Sequence, residues 1–550
     1  MIRYGPALSF AALMGAAPAC SEPADLPAAP PPRLVTVLVV DQMRHDYLDR
    51  FRPVLEGGLL RLIRSGLSFT DARHLHAGTN TGPGHATLST GSHPSRHGIV
   101  ANSLPEEAPG TFRTVTVDRR EHNLNGNGKA AGCSPRDLLV PALGDWLKAE
   151  RPGAKVVSVA IKGRAAVLLG GQGPDASVYG DGETGEFTTS SFYAKKQPDW
   201  VAEFNRTHPP QAQVGRVWTP LLDEARLEDT GVTRDAMSYE GRSPLGDLSD
   251  ASFPHAVTTV SDLVFTPFGD ERTLALATAA IFALGLGADE EPDLLLVSLS
   301  SADYIGHAYG PDSREVCEYY AWLDEALPAF FEALERAAGA DRQVLVLTAD
   351  HGVNPVVERL CSSGLPAGRV PKSALEKTID RELDQRFGEA DWVFSARPDV
   401  FLDHRVAGDL GLDLELVRDA AIQAVRSIPG IRTAYSFQRL SRGDETVPES
   451  FRLSFHPERS GDLMLDFERH FHLDYLDSAA YVKSNHGTQY DYDQRVPMIF
   501  LGPAIPAGIR GERFGSIDLA PTLARLLQVT PPRAIDGCAH DLVPLNAGTR

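Results

Sequence analysis

Thr79-Asn80-Thr81-Gly82-Pro83-Gly84-His85-Ala86-Thr87-Leu88-Ser89-Thr90-Gly91 is the stretch around which the chain is organised. It reads as a loop that turns into a helix near Gly84. A hydroxyl, that of Thr81, stands just ahead of a Gly-Pro-Gly turn. Such a turn leaves backbone N–H groups free at the helix N-terminus, where unpaired donors and the helix dipole favour an anion. Thr81 is thereby placed where a nucleophilic oxygen can meet an oxyanion such as phosphate. Thr, Gly and Pro are also ordinary turn residues, so the assignment depends on what the rest of the chain brings to this place.

Working outward, several apolar runs end on chemistry-bearing residues. Leu34 to Val40 carries no charge and is rich in β-branched residues, as a buried parallel strand is, and it stops at Asp41. Asp293 to Leu299 is a second such run and leads into Ser300-Ser301-Ala302-Asp303-Tyr304-Ile305-Gly306-His307. Asp303 and His307 are four apart, so one helical turn puts both on one face. Val344 to Thr348 ends on Ala349-Asp350-His351-Gly352, and a late histidine, His486, lies in Ser484-Asn485-His486-Gly487. Lys155 to Ile161 is another strand, followed by Lys162-Gly163-Arg164. In extended chain, positions two apart share a face, so Lys162 and Arg164 can point at one anion, with Arg supplying a planar fork. Strands alternating with helical patterns (137–150, 270–286, 313–338 and a closing helix from 516) predict an α/β fold: a central, mostly parallel sheet with helices on both faces. In such sheets functional groups gather at the carboxyl ends of the strands. Gln42-Met43-Arg44 is expected to begin a helix. Three carboxylates, three imidazoles and one hydroxyl suit two closely spaced zinc ions, which take N and O ligands. Two such metals can hold the attacking and leaving oxygens of an in-line phosphoryl displacement.

Lys and Arg number 53 against 73 Asp and Glu, a net charge of −20. So acidic a chain lacks the basic face of a general nucleic-acid binder, and an anion site on it must be locally positive. Residues 1–20 look like an export signal: Arg3, an apolar run from Ala7 to Ala16, and Ala17-Pro18-Ala19 before Cys20. This predicts an exported protein, either secreted or lipid-anchored at Cys20 in the periplasm or outer membrane of a bacterium. The residue three before Cys20 is Ala17 rather than Leu, which leaves both open. Residues 21–32 read as an Ala/Pro-rich tether, and 33–545 as one catalytic domain with insertions near 103–135, 171–265 and 365–470. Cys133, Cys317, Cys361 and Cys538 match no zinc-thiolate spacing, and their pairing is not given by sequence. Of His74, His76, His85, His93 and His97, most are read as structural, hydrogen-bonded imidazoles. Cys133-Ser134-Pro135-Arg136 lacks the arginine four residues after the cysteine that sulfatase maturation needs, because position 137 is Asp.

These motifs resemble the alkaline phosphatase superfamily, and within it the bacterial PafA-type alkaline phosphatases, over about residues 34 to 540. The resemblance is carried by Asp41, Thr81-Gly82-Pro83-Gly84-His85, His97-Gly98-Ile99 ahead of Asn102, Lys162-Gly163-Arg164, Asp303 with His307, Asp350-His351-Gly352 and His486-Gly487. It implies one zinc held by Asp303, His307 and His486, and another by Asp41, Asp350, His351 and the Thr81 oxygen. It implies that Thr81 attacks phosphorus to give a phosphothreonine intermediate. Asn102, Lys162 and Arg164 would bind the non-bridging oxygens. The expected substrates are small phosphate monoesters and the product inorganic phosphate, with no nucleic acid as specific partner. Added calcium is compatible with the many acids, but no EF-hand loop is present.

Two rivals remain at the level of sequence. A zinc-dependent nucleotide pyrophosphatase/phosphodiesterase would share the metals and the threonine, but would prefer diesters. A non-catalytic binding protein would take up zinc without turnover. A cofactor-independent phosphoglycerate mutase would need a serine nucleophile.

Overall fold

The computed structural model describes residues 30–106, 111–125, 130–232, 235, 237, 252–475 and 482–542. The export signal, Cys20 and most of the tether lie outside these residues. No helix among the described residues is long and apolar enough to cross a membrane.

Nine strands form the main sheet: β1 (Leu34–Val40), β2 (Leu67–Arg73), β3 (Val156–Ala160), β4 (Ala176–Gly180), β5 (Phe187–Thr188), β6 (Asp293–Leu299), β7 (Gln343–Thr348), β8 (Met498–Leu501) and β9 (Gly508–Gly515). Their spatial order is β9-β2-β8-β7-β1-β6-β3-β4-β5. The centre is parallel: β1 pairs with both β6 and β7, β6 with β3, and β3 with β4. β8 runs antiparallel between β7 and β2, and β5 antiparallel beside β4. The uncharged β-branched composition of β1 is explained by its position. All seven of its residues are buried, because helices cover both faces of the sheet.

Alternation along β1 divides the core. Val35, Val37 and Val39 pack with Trp146, Leu147, Leu523 and Leu527, which come from α3 (Leu143–Glu150) and α8 (Leu519–Leu527). Leu34, Leu38 and Val40 belong to the other core, with Leu59 and Leu62 of α1 (Gly58–Ser65), Leu276 and Ile281 of α5 (Pro267–Leu284), and Leu323 and Phe330 of α7 (Arg314–Ala338). The remaining helices that matter to the site are α2 (Thr81–Thr90), α4 (Gly163–Gly170) and α6 (Ser301–Tyr309).

The main sheet departs from the sequence reading at both of its edges. β4 and β5 lie within the stretch read as an insertion from 171 to 265, yet they extend the main sheet on its β3 side. β9 was not expected from sequence, because as an edge strand it is charged and mostly exposed, and such a strand lacks an apolar run. Residues 365–470 contain a four-stranded sheet of their own, ordered Val393–Arg397, Asp399–Leu402, Leu463–Phe467 and Ile431–Ser436, with a separate core that includes Trp392 and Ile379. Cys133, Cys317 and Cys361 are free thiols, the first two buried.

The start of α6 is fixed by a neighbour rather than by its own cap. Asp270 of α5 is buried and accepts from the backbone N–H groups of Ser300 at 2.9 Å and Ser301 at 2.8 Å, and from the Tyr319 hydroxyl at 2.8 Å. These donors would otherwise be orphans of a buried helix N-terminus. In Asp270→Ala the buried donors lose their acceptor, and stability should fall by ~2–4 kcal/mol. An unchanged urea midpoint would contradict the assignment.

Candidate active site

Four neighbouring parallel strands, in the order β7-β1-β6-β3, each deliver one charged side chain at their carboxyl end. Asp41 follows Val40 directly, Asp350 comes two residues after β7, Lys162 two after β3, and Asp303 lies in the first turn of α6, which begins two residues after β6. Adjacent strands are about 4.8 Å apart, so the three acids converge. All three are buried. The Lys162 ammonium lies among them, 2.6 Å from Asp41 Oδ2 and in contact with Asp303 Oδ2.

The histidines enter on different elements with a common orientation. His307 is on α6, one turn after Asp303, and its Nε2 lies 3.1 Å from Asp303 Oδ1. His351 follows Asp350, and its Nε2 is 3.5 Å from Asp41 Oδ1 and 3.4 Å from Asp350 Oδ2. His486 Nε2 is 3.7 Å from Asp303 Oδ1. In each ring Nδ1 faces a backbone carbonyl: Ser484 at 2.7 Å for His307, Gly352 at 2.9 Å for His351 and Thr79 at 2.8 Å for His486. A donated Nδ1–H fixes the tautomer and leaves the Nε2 lone pair aimed at the acids, as metal-ligating histidines are held.

Two groups of ligand atoms lie close enough to share an ion: Asp41, Asp350 and His351, and Asp303, His351 and His486. His351 borders both groups, and its ring stacks on His486 at 3.7 Å between centroids. The fit to a cation is shown by what is left unpaired. Asp41 Oδ1, Asp350 Oδ2 and His351 Nε2 are buried without a hydrogen-bond partner. Three orphaned lone-pair donors at one point are costly unless something positive joins them.

The electrostatics agree. Burial, then the adjacent Asp350 charge, pushes the Asp41 carboxyl well above its usual range. Burial also opposes ionisation of Asp303 and Asp350. At Asp303, His307 and Lys162 outweigh it and hold the carboxyl well below the usual range. At Asp350, His351 and His85 do the same. Burial disfavours the Lys162 ammonium, yet Asp303 and Asp41 overcome this and hold it charged. His486 is driven well below its ordinary value by burial and by the neighbouring His351 and His307. One ammonium therefore faces three buried carboxyl groups, and the resistance of Asp41 to ionisation reflects that crowding.

α2 meets this basin end-on. It begins at Thr81, not near Gly84, with Asn80 extended before it. Gly82 and Gly84 belong to its first turn, and the reason for glycine at 84 is contact: a Cβ there would collide with the Asp350 carbonyl. The Thr81 carbonyl accepts from His85 Nδ1 at 2.8 Å, and His85 Nε2 meets Ser298 Oγ of β6 at 2.9 Å. His85 Nδ1 also lies 3.2 Å from Asp350 Oδ2 without making a hydrogen bond to it, so the ties of this histidine run from α2 to β6. Arg164 Nη2 lies 3.5 Å from Thr81 Oγ1. Asn102 Oδ1 accepts from the Gly82 N–H at 2.7 Å, leaving its Nδ2 group as the donor for an anion.

The structure thus brings Asp41, Thr81, Asn102, Lys162, Arg164, Asp303, His307, Asp350, His351 and His486 to one place. Two local expectations differ. Lys162 and Arg164 do not share the face of an extended strand. α4 starts at Gly163, so Lys162 turns to the carboxylates and Arg164 to Thr81. Gln42 does not begin a helix: it takes a left-handed conformation, φ 69°, in a turn, and the next helix starts at Tyr47. Its hydrogen bonds to two of the acids were missed. The available signal was a glutamine directly after an acid at a strand end.

The model of the Type I phosphodiesterase / nucleotide pyrophosphatase family matches residues 35–489. The chain belongs to that family, within the alkaline phosphatase superfamily. It is 32% identical to alkaline phosphatase PafA of Elizabethkingia meningoseptica over 525 residues, covering 93% of this chain and 94% of that protein. It is 31% identical to alkaline phosphatase PhoV of Synechococcus elongatus over 519 residues, 91% of each. The crystal structure of wild-type PafA matches with a TM-score of 0.87 at 31% identity, covering 94% of this chain and 100% of that one. The chain is a phosphoesterase with the fold of these phosphatases.

Replacing Gly84 by Ala tests the approach of α2 to the basin. The added methyl must displace Asp350 or the helix, so stability should fall by roughly 1–3 kcal/mol. Phosphoesterase activity should drop on the order of 100-fold through misplacement of Thr81. Wild-type rates in this variant would show that the contact does not set the geometry.

Proposed function

We propose that the protein is a zinc-dependent phosphate monoester hydrolase, an alkaline phosphatase acting through a phosphothreonine intermediate on Thr81. The observation that carries this reading is the position of Thr81. Its hydroxyl stands at the first turn of α2, beside Arg164, over a basin whose Asp41, Asp350 and His351 atoms are buried and unpaired. Asp303, His307 and His486 would hold one zinc, and Asp41, Asp350, His351 and Thr81 the other. When bound, the pair would supply Lewis acidity, favouring ionisation of the threonine hydroxyl and of water and neutralising charge on the leaving oxygen.

The chain's own residues do the rest. Thr81 Oγ, its proton given up to solvent, attacks phosphorus in line, the bond to the leaving oxygen breaks, and that oxygen takes a proton from water and departs as the alcohol. Water then attacks the phosphothreonine, the P–O bond to Thr81 breaks, and inorganic phosphate leaves. Two inversions give net retention. Arg164, the Asn102 amide and the Lys162 ammonium stabilise the non-bridging oxygens, and the helix N-terminus adds its dipole.

These cationic and amide donors favour a monoester. Its dianion has its non-bridging oxygens free, whereas a diester has one more oxygen blocked and less charge. The phosphodiesterase reading is the alternative, because the family's own description includes it. The N-terminal pattern supports export, with or without a lipid at Cys20, on sequence grounds.

Initial rates on p-nitrophenyl phosphate and bis(p-nitrophenyl) phosphate, after chelation and after zinc is restored, test the proposal. The monoester should be hydrolysed faster, with activity lost on chelation and recovered with zinc. Faster diester hydrolysis would move the protein to the phosphodiesterase branch, and zinc uptake without turnover to a binding role. Thr81→Ala should abolish turnover while zinc stays bound. Changing Lys162 and Arg164 to Ala should lower monoester rates by about 10²–10³-fold or more and diester rates far less. Equal losses would show that the pair does not select the dianion.

A further inference from the structure

We infer that Gln42 is a positioning residue that locks the two halves of the metal basin to each other. The inference rests on the two-zinc reading above. Gln42 directly follows Asp41 at the end of β1, the strand between β7 and β6. It is buried. Its backbone N–H donates to Asp350 Oδ1 at 3.1 Å, on the β7 side. Its side-chain Nε2 donates to Asp303 Oδ1 at 2.6 Å, on the β6 side. A single residue therefore reaches one carboxylate of each half-site, while its neighbour in sequence supplies a third.

Two features show that this arrangement is built. The backbone of Gln42 is left-handed, φ 69°, a region where glycine is the unstrained choice, yet a side chain is present and buried. The second lies on α6. Gly306 sits between Asp303 and His307 in the middle of a helix, where glycine is disfavoured. A Cβ at 306 would collide with Gln42 Oε1. The helix that carries one half-site thus has a glycine where the amide from β1 must enter. Carboxylate ligands are themselves held by hydrogen bonds, and losing such a partner costs about 10–100-fold in metal affinity.

The test is zinc binding by the metal-free protein, titrated against a chromogenic zinc chelator, with thermal unfolding measured in parallel. Wild type should take two zinc ions per chain. Gln42→Gly suits the left-handed backbone and keeps the N–H donor to Asp350, but removes the amide on Asp303. One of its two sites should weaken by about 10–100-fold while the other is kept. Gly306→Ala, which pushes the amide away, should weaken the same site. In the double variant Gln42→Gly/Gly306→Ala the new methyl has room, so thermal stability should recover relative to Gly306→Ala while zinc affinity does not. Both sites unchanged in Gln42→Gly, or affinity restored in the double variant, would overturn the inference. Fewer than two zinc ions on wild type would instead overturn the two-metal reading, and the lock with it.

Discussion

The structure turns on three carboxyl groups buried against one another. Asp41, Asp303 and Asp350 come to one point from three adjacent strands, with the Lys162 ammonium among them. Like charges at this separation resist burial together. They are held there because each is anchored to the backbone of a sheet that is itself fully buried at β1, β6 and β7. The cores above and below the sheet supply the rigidity, and the basin takes the cost. A place like this is prepared for cations.

The rest of the site is arranged relative to that basin. Three backbone carbonyls turn the three imidazoles so that Nε2 faces inward. α2 brings Thr81 down on it, through the close approach of Gly84 to Asp350 and the bridge that His85 makes to Ser298. Asn102 comes from one segment and Lys162 with Arg164 from another: Arg164 reaches the Thr81 hydroxyl, Asn102 meets the Gly82 N–H beside it, and Lys162 lies among the carboxylates. In a strongly acidic protein, Lys162 and Arg164 supply the positive charge of this place.

Much of this was legible in the sequence because strand ends are readable. Apolar β-branched runs announce buried parallel strands, and the residue after each run occupies the carboxyl edge of the sheet. Asp41, Asp303 and Asp350 are found that way, and their histidines lie within four residues or in a glycine-flanked loop. What escaped depended on backbone turns that spacing does not reveal. Lys162 and Arg164 looked like strand partners, but the chain had already turned into a helix. Gln42 looked like a helix start, while its left-handed backbone turns it to two acids. β9 carries too many charges to look like a strand until its partner β2 is known. Gly306 was visible as a glycine in a helical stretch, but its reason lies on another strand.

The most direct test of this account is a zinc titration of the metal-free enzyme, with the rate of phosphate monoester hydrolysis read at each addition. The account predicts no activity without metal and a rate that rises and saturates at two zinc ions per chain, matching the two half-sites that share the Asp41–Asp303–Asp350 basin. Full activity in the metal-free protein, or saturation at a single ion, would contradict it.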